Sequence, residues 1–272
     1  MKTLSPHFHY TTPGFQPLES EAFILACGPH AISLMARKKE AMSLAFHAFE
    51  NEAIFESQLN RILEEIPLPP SCNLQGLYFS NKAVLVPTAF FDAQRLLAYT
   101  LPVFDVLPSE RLLFHAVNSH MVQVFAMPKL YWQAVDNQVG HCTWQHPAGT
   151  MIPVYIEQAK KQEGNALFVY VQHGMVAFTL LQGEQVLAQV IPSVENVNDL
   201  FYYTALLLEQ YPASVNKIYL HGEWTNLADY EKGLNEKGYS LESFTTPHAL
   251  TISAIPTSAL LPSHQMYHSC VS

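Results

Sequence analysis

Residues 166–189 read ALFVYVQHGMVAFTLLQGEQVLAQ, and this stretch decides the fold. Two apolar runs, 166–171 and 175–181, are separated by a histidine and a glycine. A second glycine-containing break precedes a third run over 185–191. Short apolar runs separated by turn residues are typical of consecutive antiparallel strands. The stretch therefore predicts a three-stranded meander.

A helix and a fourth strand are predicted directly after this meander. Residues 197–211 carry apolar side chains at spacings of three and four, which is typical of a helix with one buried face. The segment 217–220 (KIYL) predicts a strand that ends before Gly222. A second helix is predicted over 227–237, where Gly238 stands in the position of a C-terminal capping glycine.

The same order of elements occurs about 140 residues earlier. Three strands are predicted at 22–27 (AFILAC), 31–36 (AISLMA) and 41–49, followed by an amphipathic helix over 52–66 and a strand over 74–79. Two copies of one element order in a chain indicate an internal duplication. Between the copies, we predict strands at 84–86 and 121–127 and helices at 91–99 and 130–135.

The length of 272 residues suits one large domain or two small ones. We expect an N-terminal tail over residues 1–20, a first subdomain over 21–164 and a second subdomain over 165–272 that ends in a poorly ordered tail. The polar segment KKQEG at 160–164 marks the predicted boundary, because polar and glycine-containing stretches favour connections.

Charged residues are scarce, at 14% of the chain against about 25% in an average domain. The formal net charge is −9, which excludes a nucleic-acid-binding protein, since phosphate contacts need clustered Lys and Arg. We find neither a secretory signal nor an apolar window of about 18 residues. We therefore expect no membrane insertion and a cytoplasmic location.

Metal and redox chemistry find no supporting pattern. The four cysteines are at least 45 residues apart, which excludes a CxxC pair. Neither the pair His115 and His120 nor the run from His141 to His146 supplies the three or four convergent ligands of a zinc site. We therefore expect no metal, and the chain lacks HExxH, GxSxG, P-loop and GxGxxG motifs.

The sequence resembles an uncharacterised bacterial family, a domain of unknown function with an actin-like ATPase fold. The resemblance covers roughly residues 20–250 and rests on 82–94 (KAVLVPTAFFDAQ), 166–189, 199–211 (DLFYYTALLLEQY) and 217–225 (KIYLHGEWT). It implies an α/β fold built from duplicated ribonuclease H-like βββαβα units. In the actin-like ATPase architecture, the two units face each other across a nucleotide cleft.

The resemblance also implies where phosphate motifs would lie, each normally an Asp-x-Gly turn. In the first, Ala26 stands in the aspartate position and Gly28 in the glycine position, while Pro29 removes a backbone N–H. In the second, Gln172 replaces the aspartate and Gly174 remains. Magnesium prefers carboxylate and water ligands, which an alanine and a glutamine do not supply.

The adenosine loop of that superfamily normally has two glycines after a strand. Here Gly222 is followed by Glu223, whose negative charge would oppose a polyphosphate. The retained glycines are also what tight strand turns alone would require. We therefore expect no ATP cofactor, no ATPase activity and a scaffold or protein-interaction role.

The partner in such a role would be an unidentified protein or a second copy of the chain, and a charge-poor surface suits either. One alternative is a divergent nucleotide-binding protein or enzyme that uses the same cleft. Its candidate carboxylates are Glu184, Glu195 and Glu223, which form no recognised arrangement. The other alternative is a different α/β fold, in which the strands of the two halves would not correspond.

Overall fold

A computed structural model describes residues 7–39, 41–70, 72–162, 164–172, 175–211, 215–222 and 227–244. Within these ranges the chain forms three sheets of six, five and three strands, with helices packed between and around them. The fold is therefore of the mixed α/β class.

The first sheet has the strand order β1-β4-β3-β2-β5-β9. Strands β2, β3 and β4 form the predicted antiparallel meander, and β5 and β9 continue the sheet in parallel with β2. Helix α1 connects β4 to β5, as the sequence predicts. The bounds are β1 His7–Thr11, β2 Ala22–Gly28, β3 Ala31–Lys38, β4 Ala41–Ala48, α1 Phe55–Glu65, β5 Leu74–Tyr78 and β9 Cys142–Gln145.

The second sheet repeats this plan in the order β12-β11-β10-β13-β14. Its meander is antiparallel, whereas β13 and β14 run parallel to β10. Helix α6 begins with a capping box in which the Asn196 and Asp199 side chains bond reciprocally to the backbone. The bounds are β10 Asn165–Gln172, β11 Met175–Gln182, β12 Gln185–Val190, α6 Val197–Gln210, β13 Val215–Gly222, α7 Leu227–Glu236 and β14 Ser240–Ser243. The duplication is confirmed.

The third sheet lies between the two copies in sequence and has the order β6-β8-β7. The predicted helix over 91–99 is shorter than expected. Residues 88–90 and 93–95 form single 3-10 turns instead. The second turn begins at Asp92, whose carboxylate accepts a hydrogen bond from the N–H of Gln94. The bounds are β6 Ala83–Pro87, α2 Leu96–Thr100, β7 Glu110–Ala116, β8 Met121–Pro128, α3 Lys129–Val139, α4 Pro147–Thr150 and α5 Ile152–Ala159.

The two larger sheets share one apolar core. This cluster combines residues of β2 to β4, such as Phe46, with Tyr155 of α5 and Phe168 of β10. Two further clusters lie outside it, one under α1 and α3 and the other under α6 and α7. No helix in the described ranges has the length and hydropathy needed to cross a bilayer.

Candidate functional site

A cavity of about 650 Å³ lies where the two copies of the fold meet the third sheet. The β2–β3 turn contributes Pro29 and His30, and the start of β11 contributes Met175. The segment 78–82, at and after the end of β5, forms another wall, while Glu110 begins β7 and Lys129 begins α3. The cavity is therefore bordered by the first predicted phosphate turn and by Met175, which directly follows the second.

Two of the charged groups in the wall neutralise each other. Lys82 Nζ donates to both carboxylate oxygens of Glu110, at 2.9 and 3.0 Å. The same carboxylate accepts a hydrogen bond from the backbone N–H of Leu107 at 2.8 Å. Lys129 Nζ donates to the Pro108 carbonyl at 2.7 Å, and in the described ranges it forms no salt bridge. Of the two lysines in the described part of the wall, Lys129 is therefore the one without a carboxylate partner.

Hydrogen bonds tie the segment beside the cavity to both copies of the fold. Asn81 Nδ2 donates to the Ser193 hydroxyl at 2.6 Å, and Ser193 also forms a β-bridge with Met175. The ring of His146 bonds to the carbonyl of Ser80 at 2.8 Å. His146 Nδ1 accepts from the N–H of Ala148, so the proton lies on Nε2, which donates to Ser80. Burial lowers the pKa of His146 to about 3, which keeps this ring neutral at pH 7.

The first predicted phosphate position belongs to the apolar core. Ala26 is 2% exposed in the middle of β2, where it pairs with Ser33 and Leu77. Gly28 pairs with Ala31 and closes the two-residue turn that reaches the cavity. The methyl group of Ala26 packs in the shared apolar cluster and offers no ligand atom.

The second predicted position, Gln172, ends β10 opposite Met175. Its side-chain oxygen accepts a hydrogen bond from the Tyr170 hydroxyl, and its buried Nε2 has no partner among the described residues. Burial raises the pKa of Tyr170, which keeps this hydroxyl protonated as a donor. Gly174 lies outside the described residues.

At the third position, Gly222 pairs with Val171 at the end of β13 and has a φ of +110°. A Cβ here would overlap the Val171 carbonyl oxygen, so the close approach of the two strands requires glycine. The neighbouring His221 is buried, and its Nδ1 lies 3.4 Å from the Tyr155 hydroxyl. Burial lowers the pKa of His221 to about 4. Glu223 lies outside the described residues.

The sequence-predicted positions flank the cavity and do not line it. The wall residues Lys82, Glu110 and Lys129 were missed, because they belong to no motif and are distant from one another in sequence. Of the alternative carboxylates, Glu184 forms a surface salt bridge with Lys160 at 3.2 Å, and Glu195 precedes α6. Within the described part of the chain, no three His, Cys, Asp or Glu side chains converge as metal ligands would.

Comparisons with known proteins agree on the fold. A family model described as "Protein of unknown function (DUF3822)" matches residues 74–233. A Bacteroides thetaiotaomicron protein with actin-like ATPase fold and unknown function has a TM-score of 0.70 at 11% identity, covering 82% of this chain and 92% of that one. A chain of the PilM–PilN type IV pilus biogenesis complex has a TM-score of 0.59 at 13% identity, covering 93% and 99%. No curated protein matches the sequence.

Proposed function

The chain belongs to the DUF3822 family and has an actin-like ATPase fold, and we propose that it is a protein-interaction module without ATPase activity. The main support for this proposal is the chemistry and burial of the side chains at the two phosphate positions. Ala26 is a buried core methyl, and the Gln172 oxygen accepts a hydrogen bond from Tyr170. A magnesium–nucleotide complex therefore finds no carboxylate at either position.

The cavity suits a segment of a partner protein. Its wall combines apolar side chains with hydrogen-bonding groups, and its rim carries Leu107 and Leu130, which are 51% and 42% exposed. Protein interfaces combine an apolar centre with polar groups in the same way. The similar fold in the PilM–PilN complex also supports this role, because that complex is an assembly of proteins.

Calorimetric titration with Mg–ATP tests the loss of nucleotide binding. We expect no heat of binding at millimolar ATP, because the carboxylates are absent. The variant Gln172→Asp places a carboxylate at the end of β10 and is titrated in parallel, whereas Ala26 is left unchanged because an aspartate there would be a buried, unpaired charge. Micromolar affinity in the unmodified chain would overturn the proposal.

Site-specific photo-crosslinking in a native lysate tests the interaction role. A crosslinking residue at position 130 borders the cavity, whereas one at position 202 replaces the exposed Tyr202 on α6 and serves as the matched control. We expect a discrete adduct from position 130 that is absent from position 202 and weakened by Lys129→Glu. Equal adducts from both positions would contradict the assignment of the partner to the cavity.

A small-molecule function in the same cavity is the second candidate. A volume of about 650 Å³ lies within the usual range of roughly 300–1,000 Å³ for ligand pockets. Lys129, which forms no salt bridge with other described residues, would be the group that recognises an anion. Saturable binding of a nucleotide or other anionic metabolite, lost in Lys129→Ala, would favour this candidate over the protein partner.

A further inference from the structure

The third sheet carries an exposed apolar surface, which we call the α2 patch and which is separate from the cavity wall. Its large side chains are far more exposed than apolar residues of a folded core. They are Phe90 (76%), Leu97 (51%), Leu101 (61%), Val103 (58%) and Phe114 (44%).

Contacts connect the segments that carry these side chains. Leu97 and Leu101 are one helical turn apart and therefore lie on the same face of the chain. The Tyr99 hydroxyl donates to the Phe90 carbonyl at 2.6 Å, which holds the segment before α2 against the helix. The Phe91 ring lies 6.0 Å from Tyr99 and 4.9 Å from Phe114, and so links α2 to strand β7.

The area of the α2 patch matches one side of a protein dimer. With about 200 Å² for a whole large apolar side chain, the five exposed fractions amount to roughly 600 Å². A standard interface buries about 800 Å² per partner, of which roughly 60% is apolar. The patch thus supplies about the apolar area that each subunit of a stable dimer contributes.

The charges around the α2 patch favour a second copy over other partners. No residue from 96 to 104 is charged, although the chain as a whole has a net charge of −9. Two copies that meet here therefore bring no like charges together within this segment. Arg95 precedes the uncharged segment and Asp105 follows it, and both are exposed and form no salt bridge in the described ranges.

We propose that the α2 patch is the interface of a two-fold symmetric homodimer. A two-fold axis brings the same surface of both copies together. When the two α2 segments run antiparallel, Arg95 of each copy lies beside Asp105 of the other. This arrangement covers the apolar side chains and pairs the charges at both ends.

Sedimentation equilibrium on the full chain tests this proposal. Concentrations from about 1 to 100 µM detect even a dimer with a micromolar dissociation constant, which is the weakest affinity usual for interfaces of this size. We expect a species of twice the 30.6 kDa chain mass. Leu97→Glu with Leu101→Glu should weaken dimerisation at least tenfold. Leu18→Glu is the matched control, since Leu18 is also exposed, at 58%, but lies outside the patch. Circular dichroism verifies that each variant is folded.

A charge exchange tests the antiparallel arrangement separately. Arg95→Asp should weaken the dimer, and Arg95→Asp combined with Asp105→Arg should restore it. A 30.6 kDa species at every concentration overturns the proposal, including when the monomer binds lipid vesicles or another protein. A dimer that resists the Leu97 and Leu101 substitutions also overturns it, and so does one that Leu18→Glu weakens to the same extent. Failure of the charge exchange alone refutes the antiparallel geometry.

Discussion

Three buried histidines make the folded protein sensitive to mild acid. Burial lowers the pKa of His115 and of His221 to about 4, and that of His146 to about 3, from the ordinary value of 6.5. In the unfolded chain these rings take up protons as the pH falls below about 6.5. The folded protein takes them up only near its lower pKa values. The contribution of these three rings to the free energy of unfolding is therefore fully present above pH 6.5 and is lost as the pH falls toward 4.

The size of this effect follows from proton linkage. One pKa unit corresponds to about 1.4 kcal/mol, so each ring lowers the free energy of unfolding by about 2 kcal/mol between pH 7 and pH 5. The three together lower it by about 6 kcal/mol, against total stabilities of roughly 5–15 kcal/mol for folded domains. We expect urea unfolding curves at pH 7, 6 and 5 to show a correspondingly steep loss.

The variant His221→Phe isolates one of these rings. It removes an imidazole whose Nε2 has no partner in the described part of the chain, and the loss between pH 7 and pH 5 should fall to about 4 kcal/mol. Phe178→Leu is the control, because this ring is also fully buried but belongs to the separate cluster under α6 and α7 and does not titrate. That variant should be destabilised equally at each pH. An unchanged pH dependence in His221→Phe would refute the reasoning.

Three further substitutions test local features of the fold by urea unfolding at pH 7. Gly222→Ala should lower the free energy of unfolding by about 3 kcal/mol or prevent folding. Gly183→Ala is the control and should lower it by about 1 kcal/mol, because an added Cβ would meet nothing within 4 Å. Equal losses would contradict the close approach of the strands. Gly76→Ala should lower the free energy of unfolding by about 1–3 kcal/mol, because the added Cβ overlaps the Trp144 ring. The loss should be smaller when Trp144 is replaced by leucine. If the effects of the two substitutions simply add, the contact is not the cause. Asn196→Ala removes the cap of α6 and should cost about 1 kcal/mol, and no change would argue against the capping box.

Elements with a strong local pattern could be predicted from sequence. The meander of β10 to β12 and helix α6 were found because their apolar spacing and turn residues lie within the elements themselves. Strands β1 and β7 were missed for the opposite reason. The sequence of β1, HFHYT, has little apolar periodicity, and it forms a strand by pairing with β4 along Phe8 and Phe46.

The sequence by itself determined the duplicated α/β plan and the absence of carboxylates at residues 26 and 172, because strand periodicity and residue identity are local properties. Only the tertiary structure brought Lys82, Glu110 and Lys129 to one cavity and left the α2 patch uncovered. These features depend on contacts between residues far apart in the chain. Such contacts form when the sheets pack against one another, and they leave no pattern in neighbouring residues.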